Sequence, residues 1–155
     1  MKAMSVLALA LAALCAQAQQ PKAEDVKSID SIIAALYDVI SGPPGAKHDW
    51  DRLRSLFAPG ARMIGVETRS GDPKSHEFSV EDYIRLSGPY IEKNGFVEKE
   101  VSRKMETFKH IAHVFSSYES RMLATDKKPF ASGVNSIQLF NDGKRWWIES
   151  VFWED

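Results

Sequence analysis

Cysteine is nearly absent: the 155 residues hold one, Cys15, inside an N-terminal apolar run. Once that run is removed, no disulfide, thiol nucleophile or cysteine-based metal site can exist in the remaining chain. Glycine-rich phosphate loops, a Gly-x-Ser-x-Gly turn and a dinucleotide fingerprint are missing too, so no nucleotide or serine-hydrolase motif is present. No charge sign prevails. With 20 basic and 21 acidic residues the formal net charge is -1 and the pI is about 6.4, which gives no general attraction to nucleic acid or anionic membranes. No apolar run reaches the ~20 residues that a membrane-spanning helix needs. Repeats and low-complexity tracts are also lacking. What is present is core material: 44% hydrophobic content, with four Trp, four Tyr and eight Phe, excludes a wholly disordered chain. The length fits one domain.

Residues 1–18, MKAMSVLALALAALCAQA, combine Lys2, an apolar stretch from Val6 to Cys15 and the small-residue pattern Ala16-Gln17-Ala18. This order is that of a secretory signal peptide cleaved after Ala18. Lipidation at Cys15 is the weaker alternative, because Leu14 is bulky beside that cleavage point. The expectation is a secreted or periplasmic protein without a membrane anchor after cleavage. Cleavage leaves 155 − 18 = 137 residues and a formal charge of 19 − 21 = -2, since Lys2 alone among charged residues is lost.

Residues 19–25 read as a short flexible lead and 26–155 as one domain. Ile29, Ile33, Leu36 and Ile40 recur at three- and four-residue steps and predict a helix, ended by Gly42-Pro43-Pro44-Gly45. Asp49 caps a second helix over Trp50–Phe57, stopped by Pro59-Gly60. A strand at Ala61–Glu67 and a turn at 70–73 follow. Ser79 and Asp82 mark a third helix start, which Gly88-Pro89 should kink or break. The remainder is β-patterned, with strands near 96–108, 111–123, 132–141 and 144–154, the last two around Asp142-Gly143. The predicted class is α+β: three N-terminal helices packed in the concave face of a curved antiparallel sheet.

Alternation assigns the two sheet faces. A turn at Lys109-His110 sends Met105, Val114, Arg103, Ser116, Val101, Tyr118, Lys99 and Ser120 inward, and His113, Glu119, Glu100 and Glu98 outward. A two-residue turn at Asp142-Gly143 sends Leu139, Trp146, Ile137, Ile148, Asn135, Ser150 and Phe152 inward, leaving Trp147, Val151 and Trp153 outside.

Three segments carry a family likeness: Asp49 to Phe57, Ala112 to Ser116, and the closing Asp142-Gly143-Lys144-Arg145-Trp146-Trp147-Ile148. They resemble the nuclear transport factor 2-like superfamily, in its SnoaL-like branch, over about residues 24–154. The resemblance implies a cone of bent sheet around helices, open at one end to a pocket, and often a dimer through the outer sheet face. The superfamily includes ketosteroid isomerase-like enzymes, polyketide cyclases, dehydratases and non-catalytic binders, so fold alone does not name an activity.

The face assignment makes Arg103, Ser116, Tyr118, Asn135 and Ser150 the candidate contacts for a small, mainly apolar ligand, with Arg103 suited to an anionic group. An isomerase-, cyclase- or dehydratase-type enzyme is the alternative; it would use His113 and Glu119, were the register reversed, or Asp38. A pocketless accessory domain is the third reading. Trp147, Val151 and Trp153 form the expected homodimer face; the acidic residues around them disfavour nucleic acid. His48, Asp49 and Asp51 lack partners at ligand spacing, so neither a metal nor another cofactor is expected.

Overall fold

A computed structural model describes residues 20–68 and 71–155; the leader read at 1–18 and the first residue of the turn at 70–73 lie outside the described residues. Ser28 caps α2 (Ile29–Ile40) by accepting the Ser31 amide, and the apolar stripe of this helix buries Ile32, Ile33, Leu36, Tyr37 and Ile40. One helical turn, α1 (Ala23–Val26), precedes it at the end of the polar lead, with Asp25 buried. Asp49 caps α3 (Trp50–Leu56) through the Arg52 amide at 2.9 Å, as its position predicts. Arg52 then forks onto Asp25 (2.7 and 3.0 Å) and reaches Asp38 at 2.5 Å, tying α1, α2 and α3 together.

The chain passes directly from α3 into β1 (Phe57–Glu67), four residues earlier than predicted, and then into β2 (Lys74–Phe78), which the sequence did not signal. The first four residues of β2 are polar and exposed and only Phe78 meets the core, so no core pattern shows; the strand exists because it pairs antiparallel with the edge of β1. Ser79 and Asp82 complete a reciprocal capping box at the start of α4 (Val80–Asn94). This helix runs through Gly88-Pro89 without a break. Gly88 lies on the Trp50 ring, where a Cβ would come within 3.2 Å of Cζ2, and Ile91 is buried one turn on. Packing there outweighs the ~3 kcal/mol that an internal proline costs a free helix.

Four long strands follow: β3 (Val97–Phe108), β4 (Ile111–Arg121), β5 (Ala131–Asn141) and β6 (Trp146–Glu154). The six strands form one curved, unclosed sheet in the order β2-β1-β6-β5-β4-β3. It is mixed rather than wholly antiparallel, because β1 lies parallel to β6. The helices pack on its concave face over Ile32, Ile33, Leu53, Leu56, Val114, Ile137, Leu139 and Ile148, all nearly inaccessible.

Two single-residue bulges change which side chains look inward. In the β3–β4 hairpin, pairing from Phe108↔Ile111 to Ser102↔Ser117 follows the predicted register. Val101 is then skipped, and Glu100 pairs with Tyr118 and Glu98 with Ser120. One extra residue reverses every side chain beyond it. Glu98 and Glu100 therefore join the concave face, while Val101 and Lys99 leave it. In the β5–β6 hairpin the turn takes four residues rather than two. Asp142 accepts from the Lys144 and Arg145 amides at 2.8 and 2.9 Å, so Asn141 pairs with Trp146. A bulge at Glu149 follows, since Ile148 pairs with Leu139 but Ser150 with Gln138. As a result Val151 and Trp153 turn inward, and Ser150 and Phe152 turn outward.

Candidate functional site

The bulges build one end of the concave face into a cavity of about 320 Å³ beneath α4. Leu36 and Ile40 close one side, Met63 and Val151 the sheet side, and Tyr83, Tyr90 and Ile91 the α4 side. Phe96 and Phe130 meet with ring centroids 6.2 Å apart and, with Trp153, complete the apolar wall. Trp153 can lie flat there because residue 65 is glycine: a Cβ at Gly65 would stand 2.8 Å from its ring. Gly133 does the same for Tyr118, whose hydroxyl would be 2.6 Å from an added Cβ.

Glu98 is the polar centre of this cavity. Ser120 Oγ donates to Oε2 at 2.9 Å and Asn135 Nδ2 to Oε1 at 3.3 Å. Its backbone is held by the last turn of α2: the Glu98 amide donates to Ser41 Oγ at 3.0 Å, and that hydroxyl donates to the Tyr37 carbonyl at 2.6 Å. Burial among apolar groups lifts the Glu98 carboxyl from 4.5 to about 7; the bonds from Ser120 and Asn135 oppose the rise and Asp155 adds to it. Three phenols surround it. Burial pushes Tyr37 up to about 12, and burial followed by the Glu98 charge raises Tyr83 and Tyr118, so all three are neutral at physiological pH.

A directed chain of bonds runs from this carboxyl through the core. Asn135 Nδ2 also donates to the Tyr37 hydroxyl at 3.0 Å. Tyr37 and Ser116 lie 2.8 Å apart, and Ser116 donates to Glu100 at 2.6 Å, so the Tyr37 proton points to Ser116. Glu100 is held in turn by Arg103 at 2.5 Å, and Arg103 reaches Asp30 at 2.8 Å. Every donor in the chain has an acceptor, as buried polar groups require.

Of the residues singled out from sequence, Tyr118 and Asn135 line the cavity. Ser116 is buried behind them in the bond chain, without access to the cavity. Arg103, in the middle of β3, is occupied by Glu100 and Asp30. Ser150 faces outward beside Gln138. His113 and Glu119 also face outward, where His113 Nε2 lies 3.0 Å from Ser136 Oγ and Glu119 accepts from Arg121 at 2.6 Å. Asp38 is exposed and paired with Arg52. Trp147 lies on the outer side under the Arg145 guanidinium, 3.6 Å from its ring, whereas Val151 and Trp153 are cavity wall. His48 stacks on Trp50, Asp49 caps α3 and Asp51 pairs with Arg54 at 2.7 Å. Among the described residues no three His, Cys, Asp or Glu side chains gather into a metal-holding group.

No family model and no curated protein matches the sequence. Solved structures do match the backbone. A nuclear transport factor 2-like protein of unknown function from Pseudomonas putida KT2440 superposes with a TM-score of 0.61 at 8% identity, covering 81% of this chain and 82% of that one. This chain has the nuclear transport factor 2-like fold. A candidate dehydratase of the nuclear transport factor 2-like family from Streptomyces avermitilis matches at 0.55 and 15% identity, over 84% of this chain and 94% of that one. A candidate ketosteroid isomerase from Shewanella frigidimarina NCIMB 400 matches at 0.54 and 13%, over 79% and 90%. At these identities the likeness is one of fold.

Within this nuclear transport factor 2-like cone, alternation alone missed Glu98, Val151 and Trp153. The β6 bulge did leave a trace: Glu149-Ser150 places two polar residues between Ile148 and Val151, so the apolar spacing widens from two to three. The β3 bulge left none. Its charges alternate smoothly through Glu98, Lys99 and Glu100.

Proposed function

We propose that this chain is an exported cone-fold protein that binds a small, mainly apolar molecule in the cavity beneath α4. One observation carries the reading: the cavity wall is apolar apart from a few convergent groups, Glu98, Asn135 and Ser120 foremost. That composition is the usual one for a small-molecule site. Titration with the neutral dye N-phenylnaphthylamine tests it. One dye per chain should bind, and Ser87→Trp, which fills the cavity from α4, should abolish the signal. Binding that survives Ser87→Trp places the dye elsewhere and removes the proposal.

A second reading is an acid–base enzyme of isomerase or dehydratase type, and the Glu98 carboxyl favours it. A group that titrates at about 7 can both give and take a proton at physiological pH. Glu98 then fills the role that sequence assigned to His113 and Glu119. Exchange of the α-hydrogens of bound cyclohexanone with deuterated solvent, lost in Glu98→Gln, would support catalysis; binding without exchange would remove it. A pocketless interaction domain has no support, because the interior holds a cavity.

Export rests on the leader pattern at 1–18, and N-terminal sequencing of secreted or periplasmic protein should begin at Gln19. A second copy is the proposed partner for the outer sheet face. With Val151 and Trp153 turned inward, that face carries exposed Phe115, Phe140 and Phe152 beside Trp147. Phe152→Glu should shift the mass in light scattering toward the monomer; an unaltered mass would exclude this face.

A further inference from the structure

Among the described residues, carboxyl groups and aromatic faces line the cavity and no basic side chain does. Glu98 and Asp155 are among its lining residues, whereas no described lysine, arginine or histidine is. Arg103, the side chain best suited to receive an anion, is held by Glu100 and Asp30 instead. Six aromatic rings, from Tyr83, Tyr90, Phe96, Tyr118, Phe130 and Trp153, make up much of the wall. Both Glu98 oxygens accept bonds from neutral side chains, Ser120 and Asn135, and among the described residues no cation pairs with the carboxylate.

Resting on the binding reading above, we infer that the ligand is a small hydrophobic organic cation, an amine or quaternary ammonium, held between the Glu98 carboxylate and this aromatic wall. A carboxylate surrounded by apolar groups is unfavourable until a counter-charge enters. Short of a counter-charge, burial favours the protonated carboxyl and lifts it to about 7. An entering cation replaces that proton and rests against ring faces, whose quadrupoles attract it at ~0.5–2 kcal/mol each when water is excluded. A neutral apolar molecule gains the wall but not the charge, and an anion meets repulsion. The groups facing Glu98 do not blur this coupling: Tyr37 from α2, Tyr83 from α4 and Tyr118 from β4 all have raised phenol values and are neutral, and Asp155 beyond β6 is a carboxyl that also favours a cation.

The test pairs benzyltrimethylammonium with its neutral carbon isostere, neopentylbenzene, in displacement of N-phenylnaphthylamine and in calorimetry. The cation carries its charge at every pH, so any pH dependence belongs to the protein. At pH 8 it should bind at least tenfold more tightly than the isostere. Its affinity should fall roughly a hundredfold between pH 8 and pH 5, because only the ionised Glu98 receives it. Glu98→Gln should flatten that dependence. Phe130→Leu, at the exposed lip, should weaken the cation more than the isostere without disturbing the fold. Equal affinity for the two isosteres, or a cation affinity independent of pH, overturns the inference while dye binding leaves the pocket standing. Failure of dye and cation alike overturns both.

Discussion

Replacing Glu98 by glutamine should change how stability depends on pH, and the structure sets the sign and size. In the unfolded chain the carboxyl titrates near its ordinary 4.5; in the fold, near 7. Between those values the folded state binds more protons than the unfolded one, so stability falls as pH rises through this window. At ~1.4 kcal/mol per pH unit, charging Glu98 within the fold costs roughly 3 kcal/mol. Glutamine keeps the shape and cannot charge. Its carbonyl can take the Asn135 bond, and its amide can donate to Ser120, whose hydroxyl rotates to accept. Urea denaturation of both proteins from pH 4.5 to 8.5 supplies the assay. Wild type minus variant should decline by about 3 kcal/mol across the range, near 1.5 M in midpoint for an m-value of ~2 kcal/mol/M. A difference that stays constant with pH would refute the placement of Glu98 among apolar groups, and with it the pH coupling expected of a cationic ligand.

Three further outcomes follow from named contacts. Deleting Val101 removes the extra residue of the β3 bulge but leaves Glu100 opposite Tyr118 and Glu98 opposite Ser120, so Glu98 should stay inward and the pH-dependent difference should persist; its loss would mean that Val101 is not the skipped residue. Gly133→Ala places a Cβ 2.3 Å from the Glu154 carbonyl oxygen and 2.6 Å from the Tyr118 hydroxyl; a loss of about 2 kcal/mol is expected in thermal or urea melts, and unchanged stability would contradict that close approach. Arg52→Ala strands the buried Asp25 carboxylate and should cost about 3 kcal/mol at neutral pH. Arg52 holds the Asp25 carboxyl below its ordinary 3.8, so the contribution of the pair is present above that value and fades as pH falls below it. A variant as stable as wild type at neutral pH, or with the same acid limb, would show the fork to be idle.

The helix starts were legible from local chemistry. Asp49 and Ser79 cap α3 and α4 where short polar side chains before apolar runs place them. Strand β4 reads correctly along its length: Val114, Ser116, Tyr118 and Ser120 are buried while His113 and Glu119 face outward, because alternation needs no partner to express itself. The wall of the site was not legible on the same terms. Nothing along β3 marks Val101 as the skipped residue, and polarity argues against turning Glu98 inward until Ser120, Asn135 and the Ser41 clamp are in place.

The sequence by itself determined the class of fold, the order of most of its elements and the faces of α2 and β4, since these follow from spacing and capping within a few residues. Tertiary structure alone decided the parallel seat of β1 beside β6, the pairing of β2, and which side of the sheet Glu98, Val151 and Trp153 occupy. The reason is geometric. A bulge is a property of two paired strands, and a one-residue offset between them reverses every side chain beyond it.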